Sequence, residues 1–277
     1  MMRGQAILAR TMNVPTARAK DERPWQYHSR SDAHSKVACW TLLFDTLLEC
    51  DVLKSHAERG LLGFGINFEM VGPISKTLDL VFTRVSPNRA TRKRRTFSDL
   101  AEQLGLVLDN EDRRLLAGLP TIEHDDQQDS SEVVLALEAK ACMTKHSGSL
   151  PRLHAEILAT GYLAKRAMPR CIVVSYTLVN SARTFLSPGS SGKPNKHKQP
   201  EDAQRVIDML ANAIPLARDT HNLVGYDVVG ATAIECANDG SDVVVDESLK
   251  WPERSEHVRY KRMISALCSE YRARAGY

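Results

Sequence analysis

Two apolar stretches rich in β-branched residues are each interrupted by charged side chains. The first, 131–142, has the composition of a buried strand. Glu138 and Lys140 stand two positions apart in it, so strand alternation directs both side chains from the same face. Burying a carboxylate and an ammonium is costly unless the two charges are paired or used. The stretch therefore predicts either a functional site or, as is usual for an isolated Glu-x-Lys on a strand, a solvated pair at a sheet edge.

The second stretch, 76–85, also predicts a strand and contains Asp79. An acid on one strand and Glu-x-Lys on a later strand suit metal-dependent hydrolysis. Two carboxylates supply the oxygen ligands that a hard divalent cation requires, and such a cation polarises a phosphoryl oxygen and activates water. A lysine can orient that water or balance charge on the phosphate. Asp79 and Glu138 are therefore candidate metal ligands, and Lys140 joins them as a candidate catalytic residue.

This arrangement resembles the PD-(D/E)xK nuclease superfamily, the fold of many restriction endonucleases. The residues that carry the resemblance are Asp79, Glu138, Ala139 and Lys140. Leu78 stands where the superfamily pattern has a proline, and Pro73 lies further back. The segments 137–144 and 151–153 are also similar to an uncharacterised group of phage and bacterial proteins.

The resemblance implies an α/β fold, with a restriction endonuclease-like central mixed sheet flanked by helices. It also implies a Mg²⁺ (or Mn²⁺) cofactor, DNA as the partner, and hydrolysis of DNA phosphodiester bonds by a restriction-like endonuclease. A catalytically inactive nuclease-fold module that binds DNA or assists a larger machine is the alternative. A third hypothesis, from another class, is a structural or interaction protein in which these charges form an internal salt bridge.

The chain has 277 residues, enough for one large domain. Residues 1–30 are polar and basic without periodicity, which predicts a flexible N-terminal arm. Residues 31–277 are predicted to form a single nuclease-like domain with a basic insertion at 86–132. Because one site cuts one strand at a time, a homodimer is expected on duplex DNA.

Two basic clusters are candidate DNA contacts, although solvated surface charge is the alternative for each. The net charge of +3 is too small to identify a partner, so the distribution of charge matters more. The candidate DNA-binding residues are Arg92, Lys93, Arg94 and Arg95 in the insertion, and Lys193, Lys196 and Lys198 in the loop 187–200.

The six cysteines form no C-x-x-C pair and fall mostly in apolar segments, which predicts reduced core residues. No apolar run approaches the ~20 residues that a membrane span needs. The starting segment has too short an apolar stretch for a secretory signal. The sequence therefore predicts a soluble cytoplasmic protein without a membrane partner.

The remaining patterns predict the elements around the two strands. A helix should run from Ser31 or Asp32 to about Leu53, and its Asp45 is either a further acid near the metal or part of a solvated face. A helix capped by Ser149, with Pro151 in its first turn, should connect strand 131–142 to a parallel strand at 170–179.

Overall fold

In the computed structural model, the described residues are 1–15, 17–18, 24–70, 75–85, 94–125, 132–188, 190, 192–217 and 225–275. The α-helices in these ranges are α1 (Arg3–Met12), α2 (Ala33–Glu49), α3 (Asp51–Glu58), α4 (Phe97–Gln103), α5 (Asn110–Ala117), α6 (His146–Ala167), α7 (Glu201–Ala217) and α8 (Tyr260–Ala275). A 3₁₀ helix, Glu253–Val258, precedes α8.

The strands pair into one large sheet and two short ribbons. Their bounds are β1 (Ala17–Arg18), β2 (Pro24–Trp25), β3 (Leu62–Met70), β4 (Lys76–Arg84), β5 (Glu123–His124), β6 (Glu132–Cys142), β7 (Ile172–Asn180), β8 (Thr184–Phe185), β9 (Asn195–Lys196), β10 (Val228–Glu235) and β11 (Val244–Val245). The ribbons are β1–β2 and β8–β9, both antiparallel.

The large sheet has seven strands in the order β11-β10-β7-β6-β4-β3-β5. Its strands β3, β4 and β6 are antiparallel neighbours, whereas β6, β7 and β10 are parallel. Helix α6 makes the crossover between the parallel pair β6 and β7, as predicted. The protein is therefore a mixed α/β fold with a mixed sheet, which confirms the coarse fold class.

Helices cover both faces of the sheet, because the apolar side chains of each strand alternate between two cores. Leu135 and Leu137 pack into the core that contains α1, α2 and α8. Ala136 packs into the core that contains α6 and α7. Trp40 on α2 stacks on Phe97 with ring centroids 4.8 Å apart, which ties the 94–125 region to the first core.

The predicted N-terminal arm is wrong for residues 3–12. They form α1, and Ile7, Leu8 and Met12 are almost fully buried against the first core. The basic residues of this segment made it look polar and obscured its short apolar face in the sequence. One of them, Arg10, pairs with the buried Asp112 of α5. Packing against α2 gives this short helix its stability, since isolated helices of such length are marginal.

Two helix boundaries also differ from the prediction. Helix α6 begins at His146 rather than after Ser149, because Lys145 adopts a left-handed conformation (φ 50°) and accepts a bond from Ser149 N–H at 2.9 Å. Pro151 therefore lies inside the helix. The helix predicted to reach Leu53 ends at Glu49, where Cys50 is extended and separates α2 from α3.

All six cysteines are buried and free, which confirms that prediction. Within the described ranges, the protein has no helix long and apolar enough to cross a membrane.

Candidate functional site

The three predicted site residues lie together where β4 and β6 separate. The paired register of these antiparallel strands ends with Leu80 opposite Leu137. One position further on, a side chain replaces the backbone as the partner of β6: Asp79 Oδ2 accepts a hydrogen bond from Ala139 N–H at 2.9 Å. Because Ala139 stands between Glu138 and Lys140, this bond places Asp79 beside the Glu-x-Lys element.

Glu138 is the most deeply buried member of the site, with 4% of the residue exposed. Its Oε1 accepts hydrogen bonds from Lys140 Nζ at 2.6 Å and from Lys76 Nζ at 2.9 Å. Its Oε2 is buried and has no hydrogen-bond partner among the described residues. An unpartnered buried carboxylate oxygen costs roughly 1–3 kcal/mol or more, which indicates a missing donor or cation.

Asp79 has an unusual electrostatic environment. Burial, followed by the charge of Glu138, raises the pKa of Asp79 to about 6. Hydrogen bonds from Ala139 N–H and from Ser35 Oγ, the latter at 2.9 Å to Oδ1, favour the ionised form and limit the rise in pKa. Two neighbouring carboxylates that raise a pKa in this way are typical of sites whose function needs concentrated negative charge.

The donor set of this site fits a hard, partly hydrated cation. Mg²⁺ is commonly held by one or two carboxylates while it keeps several waters or substrate oxygens, and Asp79 and Glu138 supply two carboxylates. The Glu138 Oε2 atom is buried, and its lone pairs are not used by any other described group. Across the described part of the chain, no group of three or more His, Cys, Asp or Glu side chains could hold a metal. The residues therefore suit an open Mg²⁺ site rather than a site closed by protein ligands.

Two residues of the site were missed in the sequence. Lys76 begins β4 and reaches Glu138 across to β6, and Ser35 in the first turn of α2 reaches Asp79. A weak signal existed for Lys76, which stands three positions before Asp79 on the same predicted strand. Nothing in the local sequence pattern distinguished Ser35 from other helix-start serines.

Asp45 on α2 does not belong to this site. It lies ten residues beyond Ser35 along the helix, about 15 Å away. It is 1% exposed, and its Oδ2 accepts a hydrogen bond from Gly4 N–H of α1 at 2.9 Å. Both earlier hypotheses, an acid near the metal and a solvated face, are therefore wrong. Asp45 instead joins α1 to α2, and burial raises its pKa to about 7.

The described residues of the first basic cluster, Arg94 and Arg95, do not lie at the site. Arg92 and Lys93 lie outside the described residues. Arg94 and Arg95 directly precede α4, and the Arg95 carbonyl accepts a bond from His124 N–H of β5 at 2.7 Å. Because β5 is the edge strand beyond β3, these arginines lie two strands away from β4.

The second cluster lies on and around the β8–β9 ribbon. Lys193, Lys196 and Lys198 are all exposed. Lys196 pairs with Thr184 of β8. The next residue of β8, Phe185, lines the same cavity as Lys140. This cluster therefore flanks the candidate site, whereas the described part of the first does not.

A comparison of the chain with protein-family models, with curated proteins and with solved structures finds no match.

Proposed function

We propose that this chain is a divalent-metal-dependent nuclease that hydrolyses DNA phosphodiester bonds, with a restriction endonuclease-like fold. One observation carries the proposal. Residues 60 positions apart in sequence meet where the strands β4 and β6 separate, and Asp79 bonds the backbone between Glu138 and Lys140. Glu138 adds a buried oxygen without a partner among the described residues. An ion pair that served stability alone would be expected to satisfy that oxygen.

In this proposal Asp79 and Glu138 hold Mg²⁺ (or Mn²⁺). When bound, that ion polarises a phosphoryl oxygen and lowers the pKa of a water. Ser35 and the Ala139 N–H fix the orientation of Asp79. The water oxygen forms a bond to phosphorus and releases one proton to solvent, one phosphorus–oxygen bond of the backbone breaks, and the departing oxygen takes up one proton from solvent.

Lys140 has the role of stabilising charge in this reaction. Its Nζ lies 2.6 Å from Glu138 Oε1, so the ammonium is held beside a proposed metal ligand. Negative charge builds on the phosphate oxygens in the transition state, and a preorganised cation stabilises it. Lys76 shares the same carboxylate oxygen and keeps Glu138 in place.

A DNA-binding accessory module that does not cut is the second candidate. The observation in its favour is that Glu138 Oε1 already accepts bonds from two lysines, which balance its charge without a metal. The same ion pair also suits a purely structural role. The nuclease requires a divalent cation at Asp79 and Glu138, whereas neither of these alternatives does.

Incubation with plasmid and linear DNA in Mg²⁺, Mn²⁺ or EDTA tests the proposal. A nuclease converts plasmid to nicked or linear products with the divalent ion and leaves it intact in EDTA. Calorimetric titration with Mn²⁺ gives an independent readout of the site. DNA binding without cleavage or Mn²⁺ uptake favours the accessory module, and neither binding nor cleavage favours the structural role.

Neutralising Lys193, Lys196 and Lys198 to glutamine should reduce the salt dependence of DNA binding. Each phosphate contact contributes about 0.9 to the slope of log affinity against log salt, so three lost contacts lower it by roughly 2.7. Fluorescence anisotropy in EDTA over a salt series measures the slope. The matched control neutralises three exposed cations outside this cluster, namely Lys250, Lys261 and Arg272.

The same measurement applies to the first cluster, Arg92, Lys93, Arg94 and Arg95. Its neutralisation is also expected to flatten the slope if these residues contact the DNA backbone. A slope equal to that of the unaltered protein would assign the cluster in question to solvent.

The protein is expected to pair as a homodimer, at least on DNA. Duplex cleavage requires two cuts, and each set of Asp79, Glu138 and Lys140 serves one phosphodiester at a time. Two-fold pairing is the commonest way to present two copies of one site, and it matches the symmetry of the duplex. Sedimentation velocity with and without duplex DNA measures the mass. A monomer in both states that nicks one strand per encounter would contradict the dimer.

A further inference from the structure

A cavity of about 340 Å³ adjoins the candidate site at Lys140. It lies towards the carboxyl ends of the parallel strands β6 and β7, the usual place for ligands in open α/β sheets. The N-terminal parts of α2 and α6 and the segments at Tyr27 and Ser187 line its other sides. Its volume is near the lower end of the roughly 300–1,000 Å³ typical of small-molecule sites.

The lining of this cavity favours an anion. Lys140 and Arg152 contribute two positive charges, and none of its described lining residues is acidic. Hydroxyl-bearing residues also line it, among them Ser29, Ser31 and Ser187. Cations together with hydroxyl donors are the groups that proteins direct at phosphate oxygens.

One wall of the cavity is aromatic and contains an unused polar atom. Tyr27 stacks on His34 with ring centroids 5.1 Å apart, and Phe185 meets Tyr27 in an edge-to-face arrangement with ring centroids 6.3 Å apart. His34 is 7% exposed, and its Nε2 has no hydrogen-bond partner in the described part of the chain. Burial lowers the pKa of His34 to about 4, so the neutral ring carries one donor and one acceptor nitrogen.

We propose that this cavity takes one nucleotide whose base has left the helical stack, with Lys140 and Arg152 on its phosphate and the Tyr27 ring, which is backed by His34, against its base. The inference rests on the proposed nuclease function and specifies its substrate class. Planar bases stack favourably on aromatic side chains, whatever their sequence.

The size of the cavity decides which DNA can use it. A volume of about 340 Å³ has room for a nucleotide but not for a double helix. A paired base enters only after it leaves the duplex, which costs a few kcal/mol, whereas an unpaired base enters without that cost. Single strands, frayed ends and bulges are therefore the preferred substrates, ahead of continuous duplex.

Equilibrium binding in EDTA tests the inference without any cleavage. The probes are a short fluorescent duplex with one unpaired thymidine and the same duplex with an abasic residue at that position. We expect the thymidine probe to bind about tenfold more tightly, the range of one base stacked on an aromatic ring. Tyr27→Leu should remove that preference while the Tyr27 backbone keeps its bonds to Asn238.

Three further variants complete the design. Ser29→Trp fills the cavity from an exposed position without removing a packed side chain, and it should also abolish the preference if Tyr27→Leu fails to fold. Arg152→Gln should weaken binding of both probes alike, because it contacts the phosphate. Arg166→Gln is the matched control, since this exposed arginine lies further along α6 and bonds Tyr162.

Equal affinity for the two probes would overturn the inference, and so would a preference that survives both Tyr27→Leu and Ser29→Trp. Metal-dependent cleavage with equal affinities would leave the nuclease function standing without the nucleotide pocket. A preference lost in both variants, in a protein that cuts no DNA, would support the pocket and remove the nuclease function.

Discussion

Replacing Asp79, Glu138 or Lys140 by alanine should each lower the rate of DNA cleavage by about 10²-fold or more. Asp79 and Glu138 are the proposed metal ligands, and Lys140 is the proposed stabiliser of charge on the phosphate. Losing any of them removes stabilisation that exists mainly in the transition state. Initial rates on plasmid DNA in Mg²⁺ measure the effect, and thermal unfolding shows whether each variant retains its fold.

Two kinds of control separate chemistry from folding in this experiment. Asp79→Asn and Glu138→Gln preserve side-chain shape but remove the charge, so they should lose cleavage as fully as the alanine variants. Glu132→Gln changes an exposed acid on the same strand, where it pairs with Arg84, and should cut normally. If a folded variant of one site residue cuts at nearly the unaltered rate, that residue has been assigned the wrong role.

Asp45→Asn should make the protein more stable at alkaline pH and change how its stability depends on pH. The folded-state pKa of Asp45 is about 7, above the value of about 3.9 expected in the unfolded chain. Between these values the folded protein holds a proton that the unfolded chain has released, so stability falls as pH rises. From about pH 5 to pH 8 the loss is on the order of 2–3 kcal/mol.

The asparagine keeps an oxygen to accept the Gly4 N–H bond, and it carries no charge to bury. Urea unfolding across this pH window measures the difference between the two proteins, which should widen as pH rises. Glu58→Gln is the matched control, because this exposed acid of α3 is not among the groups that shift the pKa of Asp45. Parallel stability profiles for Asp45→Asn and the unaltered protein would show that the carboxyl group titrates normally.

The contrast between Asp45 and Asp79 shows where sequence reasoning stops. Both are acids in apolar segments, and both have pKa values raised by burial. Only Asp79 lies beside Glu138, whereas Asp45 bonds the backbone of Gly4. The difference depends on which segment packs against each acid. Helix α1 was not predicted at all, so its bond to Asp45 had no signal in the sequence.

The sequence by itself determined the strands β4 and β6, the crossover through α6, and the pairing of Glu138 with Lys140. These follow from local patterns, because apolar alternation specifies which face of a strand is buried and residues two apart share a face. The same reasoning identified the helical stripe of α2.

Only the tertiary structure decided what lies across from those residues. The bond from Asp79 to Ala139, the second lysine at Glu138 and the cavity beside Lys140 all join segments far apart in the chain. Strand register and helix docking bring such segments together, and both are set by the packing of the whole core rather than by any local pattern.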